Sequence, residues 1–560
     1  MTKRLELIWP HKGEHVLQNP ETEKWEFCGS KALLPRPLIE IETLGDEKNQ
    51  QFDPNKSNLL IRGENLFALQ SLLPYYAGKI KFVYIDPPFN TGQDFEAYDD
   101  NFEHSIWLSM IKERIDLAYE FLHPSGAIAI EIDDTEQAYL KAILDAKFTR
   151  NNFITTISVK RSAATGHKAI NPGVVNVTEY IHLYAKDKKE WTYKRLFVAR
   201  DKYDKAYNQY IPNIDSAYSE WKFKPLTEIY AESLNFPDAK RASKELGPAV
   251  FKKGMEKFAI EHADHVIRFA IPDYNGVGAE ARRFIDMSLA DRDTIFCHHR
   301  EDYDDMYFRN GQRILFLANK TSSENGETQL VEPLTNFWSD ISWQGIAKEG
   351  GVTLKKGKKP EKLLHRLIDL NTTDDNNDIV LDFFAGSGTT GAVAHRMHRR
   401  WIMVEIKDDQ VTLALERLKR VVNGEDLWGI IDLPRVRKNG GGFRFLEVGA
   451  PLLTEDSETK LTIMNPKYTN GPLTRAVCAI EGFLLTGDEF LHGRNGEHYA
   501  HITEKFVDDA MVKGLKRKLK DSQFLTIYAA KGVRRGLQLP NNIQVNRIDS
   551  DLIKKYVKRD

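Results

Sequence analysis

The sequence predicts an α/β protein whose parallel sheet is interrupted by a long irregular insert and followed by a small C-terminal domain. Two stretches carry this reading. Ile80-Lys81-Phe82-Val83-Tyr84-Ile85 is a mostly apolar run closed by Asp86-Pro87-Pro88, and Ile379-Val380-Leu381-Asp382 is another, closed by a glycine-rich turn. Strands buried on both faces read this way. Each is followed by helical spacing and then a further apolar run, the β-α-β rhythm of a parallel sheet.

In chain order, residues 1–58 are rich in Pro, Glu, Lys and Asn and read as a loose N-terminal arm. The first half of the core is assigned to 59–154. Within it Trp107, Ile111, Ile115, Ala118 and Leu122 recur at helical spacing, stop before His123-Pro124-Ser125-Gly126, and give way to a strand from Ala127 to Ile132. Between 155 and 335 short aromatic and charged segments alternate without a clear period, as an inserted domain would. The second half, 336–439, holds a helix from Glu361 to Leu370, the Ile379 strand, a helix through Ala392-Val393-Ala394 and the strand Trp401-Ile402-Met403-Val404-Glu405. Gly440-Gly441-Gly442 reads as a linker into a C-terminal domain, 440–560.

The 560 residues, 41% hydrophobic and 29% charged, are enough for several packed domains, and a net charge of −2 neither favours nor excludes nucleic acid, which needs only a local basic surface. The three cysteines lie far apart, so neither a disulfide framework nor a cysteine-rich zinc module is indicated. Cys297-His298-His299 are neighbours that cannot readily chelate one ion tetrahedrally, and no metal is expected. Met1 to Trp9 has no apolar signal region and no membrane-spanning run occurs, so the expected location is the cytoplasm.

The segment Asp382-Phe383-Phe384-Ala385-Gly386-Ser387-Gly388-Thr389-Thr390 leaves a strand and opens a helix. Two glycines one residue apart let backbone approach a ligand where any Cβ would collide. Glu405 ends the next strand about 20 residues on, where an acid can accept from ribose hydroxyls. This predicts a nucleoside cofactor, without separating a nicotinamide dinucleotide from S-adenosylmethionine; a plain tight turn is the alternative. Asp86-Pro87-Pro88-Phe89, continuing into Asn90-Thr91-Gly92, adds the distinction. Consecutive prolines remove two N–H donors, so the turn offers acceptors. A carboxylate and the Pro87 carbonyl suit a substrate nitrogen bearing two N–H bonds, such as a purine amino group, and Phe89 offers a stacking face. A rigid turn without chemistry is the bland reading.

With these residues in view, the sequence resembles the amino-methyltransferases: Asp86-Pro87-Pro88-Phe89 is similar to their catalytic tetrapeptide, with Phe for the commoner Tyr, and Asp382 to Thr390 to their S-adenosylmethionine motif. The catalytic motif comes first, the order of the β class. Arg62-Gly63-Glu64-Asn65-Leu66, Glu103-His104-Ser105-Ile106-Trp107-Leu108-Ser109, Gly357-Lys358-Lys359-Pro360-Glu361-Lys362-Leu363-Leu364, Gly440-Gly441-Gly442-Phe443-Arg444 and, faintly, Trp9 and Pro35-Arg36-Pro37 resemble the modification subunits of type III restriction systems.

The resemblance implies a doubly wound, Rossmann-like methyltransferase core, S-adenosyl-L-methionine as cofactor, and N6 of adenine in double-stranded DNA as acceptor, the base flipped into the pocket. It implies a target recognition domain in the insert, a homodimer, and a helicase-nuclease restriction partner. Asp86, Pro87, Pro88 and Phe89 are then catalytic; Asp382, Phe384, Gly386, Gly388, Thr389 and Glu405 line the cofactor site, with Lys359-Pro360 beside the methionine end. The basic residues Lys348, Lys355, Lys356, Lys358, Lys359 and Lys362, and Lys160, Arg161, His167 and Lys168, read as phosphate contacts or as solvated faces. Methylation of a protein glutamine or an RNA base is a rival activity, and a recognition subunit without chemistry a rival class.

Overall fold

The computed structural model describes the chain except residues 1–5, 20, 21, 23, 29–35, 49, 91–102, 163–172, 201, 302, 325, 326, 355, 356, 374–377, 456–461, 549 and 552–560. Thr91, Gly92, His167, Lys168, Lys355, Lys356 and Pro35 therefore lie outside the described residues. The chain divides into two compact units, Met1–Lys194 with Asn336–Asp560, and Arg195–Thr335.

The first unit is organised by a ten-stranded sheet. Its strands are β1 (Leu38–Gly45), β2 (Leu59–Arg62), β3 (Ile80–Ile85), β4 (Leu122–Ile132), β5 (Phe153–Lys160), β6 (Thr178–Ala185), β7 (Phe337–Trp338), β8 (Ile379–Asp382), β9 (Arg400–Glu405) and β10 (Gly442–Val448), in the spatial order β7-β5-β6-β4-β3-β8-β9-β2-β10-β1. From β4 to β10 the neighbours run parallel, while β6 and β1 are antiparallel to theirs. All six residues of β3 and all four of β8 are buried, which is why both read as apolar runs.

Helices α1 (Asn65–Tyr76), α2 (His104–Phe121) and α3 (Gln137–Phe148) pack in sequence, as do α4 (Glu361–Asn371), α5 (Thr389–Arg396) and α6 (Asp408–Asn423). The crossover from β3 through α2 to β4 moves one way along the sheet; that from β8 through α5 to β9 moves the other. Right-handed crossovers running in opposite directions place their helices on opposite faces, so the sheet is doubly wound. Its switch point lies between β3 and β8, which pair through Val380 with Phe82 and Leu381 with Val83. Crevices for ligands open outside the carboxyl ends of such a pair.

Three expected boundaries move. The insert was expected from 155, but β5 and β6 join the central sheet, and the separate body begins at Arg195. The arm, 1–58, is not loose throughout: β1 is the sheet's edge strand, and Trp9 Nε1 donates to Ser109 Oγ (2.8 Å) on α2. The glycine linker is not a free joint either. Gly442 opens β10 inside the sheet, and a Cβ there would meet Leu44 O at 2.4 Å. The remaining C-terminal segment adds a five-stranded sheet and docks on α1, where Tyr75 Oη donates to the carbonyl of Ala479 (3.2 Å).

The second unit carries a six-stranded antiparallel sheet with helices Ala239–Leu246, Pro248–Glu261 and Ala279–Ala290. Its core includes Tyr207, Tyr210, Leu226, Val266 and Leu317. Among the described residues no helix is long and apolar enough to cross a membrane.

Candidate active site

Asp86 leaves β3 at the switch point and Pro87-Pro88-Phe89 turn away from it. The turn is pinned from behind: the buried Trp107 of α2 donates its indole N–H to the Pro88 carbonyl (2.8 Å). Asn90, at φ +60°, donates to Glu136 Oε1 (2.8 Å), which His104 also contacts (2.9 Å). Asp86 keeps 19% of its side chain exposed, enough to be met from the crevice.

On the neighbouring strand, Asp382 folds back into its own turn. Its carboxylate accepts from Phe384 N (3.0 Å) and from the Thr390 hydroxyl (2.6 Å), locking the strand end to the first turn of α5. Gly386 (φ +53°) and Gly388 (φ +77°) take the left-handed backbone between. Glu405 closes the same turn from β9: Gly386 N donates to its Oε2 (2.7 Å), and Ile406 N and Lys407 N to its Oε1 (2.9 and 3.0 Å). The Arg62 to Leu66 motif acts from the other side. Glu64 caps α1 and pairs with the buried Arg114, whose Nε donates to Asn65 Oδ1 (2.5 Å), while Asn65 Nδ2 donates to Phe383 O (2.8 Å).

Two adjoining cavities result. One is lined by Asp86 to Phe89 together with Asp382, Phe384, Gly386 and Thr389, and reaches Lys359 and Leu354. The other is lined by Asn65, Trp25, Phe383, Glu405 and Lys407, and shares Pro88 and Phe384 with the first. Ten of the twelve expected site residues line one cavity or the other. The two that do not are Gly388, which packs its turn against Ala414 of α6, and Pro360, which caps α4.

Sequence reasoning missed the charges beneath Asp86. Lys359 Nζ lies 3.1 Å from Asp86 Oδ1, 3.2 Å from Glu131 Oε1 on β4 and 3.1 Å from Glu179 Oε2 on β6. Tyr84 Oη donates to Glu131 Oε2 (2.5 Å), and Arg161 reaches Glu179 Oε1 (2.6 Å). A signal existed: a Glu inside the apolar run Ala127-Ile128-Ala129-Ile130-Glu131-Ile132 has no wet face to point at.

Loss of hydration pushes the Asp86 carboxyl up to about 6, against the pull of the Lys359 ammonium and with the repulsion of Glu179. Burial also drives Glu131 well above the usual carboxylate range despite Lys359. Burial opposes ionisation of Glu179 too, but Lys359, Glu131 and Arg161 together hold it below its ordinary value. Desolvation of Lys359 is outweighed by the three acids, which keep it charged. Asp382 is pushed up to about 7, its burial outweighing the Thr390 and Phe384 hydrogen bonds.

A family model described as DNA methylase, covering N6 and N4 methylases, matches residues 80–416, from β3 with the Asp86 turn to α6 beyond Glu405. The chain belongs to the DNA methylase family. Among relatives of this family, it is 31% identical over 430 residues to a protein of Haemophilus influenzae described as a probable type III restriction-modification enzyme HindVI Mod subunit, covering 73% of this chain and 56% of that one. It is 26% identical to the type III StyLTI Mod subunit of Salmonella typhimurium, covering 63% and 51%. To the type III EcoP15I Mod subunit of Escherichia coli it is 23% identical, covering 93% and 88%. The chain thus spans little more than half the length of the first two.

Proposed function

We propose that this DNA methylase transfers a methyl group from S-adenosylmethionine to N6 of adenine in DNA. The observation that carries the proposal is the meeting of the Asp86 turn and the Gly386 turn on one cavity at the sheet's switch point. The residues fit the cofactor: the cavity with Glu405, Asn65 and Lys407 offers polar groups to a nucleoside, and the one it joins at Pro88 and Phe384 combines apolar walls with Asp86. S-adenosylmethionine, when bound, supplies an electrophilic methyl carbon on sulfur.

The chain's own part is positioning. Asp86 accepts one N–H of the amino group and turns the nitrogen lone pair out of conjugation with the ring, and the Pro87 carbonyl is the second acceptor of the proposal. Phe89 stacks the base, worth about 1–3 kcal/mol. Reaching that nitrogen requires a base flipped from the duplex. The proton released from nitrogen after transfer passes to Asp86 and on to solvent.

The unit Arg195–Thr335 is the proposed target recognition domain, and a second copy of the chain is a proposed partner; a restriction subunit is the other, because the relatives are described as Mod subunits of type III restriction-modification enzymes. Purified protein given tritiated S-adenosylmethionine and unmethylated genomic DNA, followed by nucleoside digestion, tests the reading. Label in N6-methyladenine supports it. Label in N4-methylcytosine moves the acceptor to cytosine, and no label in DNA removes the activity.

A further inference from the structure

Lys359, expected beside the methionine end of the cofactor, lines the cavity shared by the Asp86 and Gly386 turns, and its ammonium meets three acids there. The ammonium donates hydrogen bonds to Glu131 Oε1 (3.2 Å) and Glu179 Oε2 (3.1 Å), and forms an ion pair with Asp86 Oδ1 at 3.1 Å. The group is 9% exposed, and Glu131 and Glu179 are 0% and 2% exposed, so moving it would leave buried acids without their cation. We infer that Lys359 is a positioning residue for Asp86: it holds that carboxylate ionised and aimed along the crevice, and Glu131 and Glu179 hold Lys359. The inference rests on the proposed amino-methyl transfer and names what sets its pH range.

The electrostatics of the surroundings leave this role to Lys359. Among the described residues, the groups facing Asp86 are Lys359, Tyr84, Glu131, Glu179, Arg161 and Asp382. Of these only Lys359 and Arg161 are cations, and Arg161, 42% exposed, pairs with Glu179 rather than with Asp86. Without Lys359, Asp86 would sit in a poorly hydrated place beside Glu179, and a protonated Asp86 presents an O–H where the amino group needs an acceptor.

The test is the pH dependence of tritium transfer from S-adenosylmethionine to unmethylated genomic DNA, between about pH 5 and 9. Wild type should lose kcat/KM on an acid limb near pH 6. Lys359→Met should move that limb up by roughly 1–3 pH units, the effect of a removed neighbouring opposite charge. Glu179→Gln, nearly isosteric, should move it down, because it removes a like charge. A uniform loss of rate with the limb fixed in both variants overturns the inference, as does a Lys359→Met protein whose only defect is weaker cofactor binding. Should Lys359→Met not fold, the downward shift in Glu179→Gln decides. If wild type transfers nothing to DNA, the methylation reading fails separately. The Asp86 carboxyl titration, read by infrared difference against Asp86→Asn in wild type and Glu179→Gln, then tests the electrostatic role without turnover.

Discussion

Arg417→Met should destabilise the core by about 3–5 kcal/mol, the cost of breaking a buried ion pair by removing one partner. Arg417 and Glu361 are both fully buried, and their Nη2 and Oε1 are 2.6 Å apart. Arg417 also donates to Thr389 Oγ1 (2.7 Å), and Glu361 accepts from Ile430 N (3.0 Å). The pair therefore ties α4 and α6 to the first turn of α5, beside the Gly386 turn. Methionine fills much of the space but leaves the buried Glu361 carboxylate without the cation it pairs with, close to the carboxylate of Glu349. Glu361→Gln added to Arg417→Met removes that charge while keeping an acceptor for Ile430. The double variant should recover at least about 1.5 kcal/mol, a coupling ordinary for contacting residues. Urea unfolding followed by tryptophan fluorescence measures both, and cofactor titration should weaken in parallel for the single variant. A single variant within about 1 kcal/mol of wild type, or strict additivity in the cycle, would refute this account of the junction.

Gly388→Ala should cost about 1–3 kcal/mol, since an L side chain is strained at φ +77° and its Cβ would meet Ala414 Cβ at 3.0 Å; thermal unfolding checks it, and S-adenosylmethionine affinity by calorimetry should fall as well. Asp382 gives a signed pH effect. Its folded value near 7 lies above the ordinary 3.8, so between these values the folded chain binds the extra proton and stability falls as pH rises. Asp382→Asn should flatten that slope in melting curves recorded from about pH 4 to 8, and a slope equal to wild type's would contradict the burial argument. Asp86→Ala should lower transfer at least about 100-fold while changing cofactor affinity only a few-fold, measured by tritium transfer and calorimetry.

The parts of the fold legible in the sequence were those whose environment is uniform along the segment. β3, β8, β9 and residues 127–132 of β4 are buried on both faces and appear as mostly apolar runs. β1 did not, because it is an edge strand with both faces open along its first half: Ile39 and Ile41 are 43% and 50% exposed, and Glu40, paired with the buried Arg444 (2.6 Å), is exposed as well, so composition read as a polar arm. β5 and β6 were lost because they pair antiparallel with each other, outside the β-α-β rhythm. The two site motifs were legible because each is local, a strand end with its turn. The Lys359 cluster was not, because its members come from residues 84 to 359 and meet only through sheet order. Glu405 shows the same limit: its position at a strand end was readable, but its three backbone donors were not.

The central claim, that the Asp86 and Gly386 turns form one methyl-transfer site, is tested most directly by a crystal structure with S-adenosylhomocysteine and a DNA duplex bearing the methylated sequence. It should show the thioether sulfur in the cavity between the two turns and an adenine amino group within hydrogen-bond reach of Asp86. A nucleoside bound away from the Gly386 turn, or a base held on the far side of the sheet from Asp86, would contradict it.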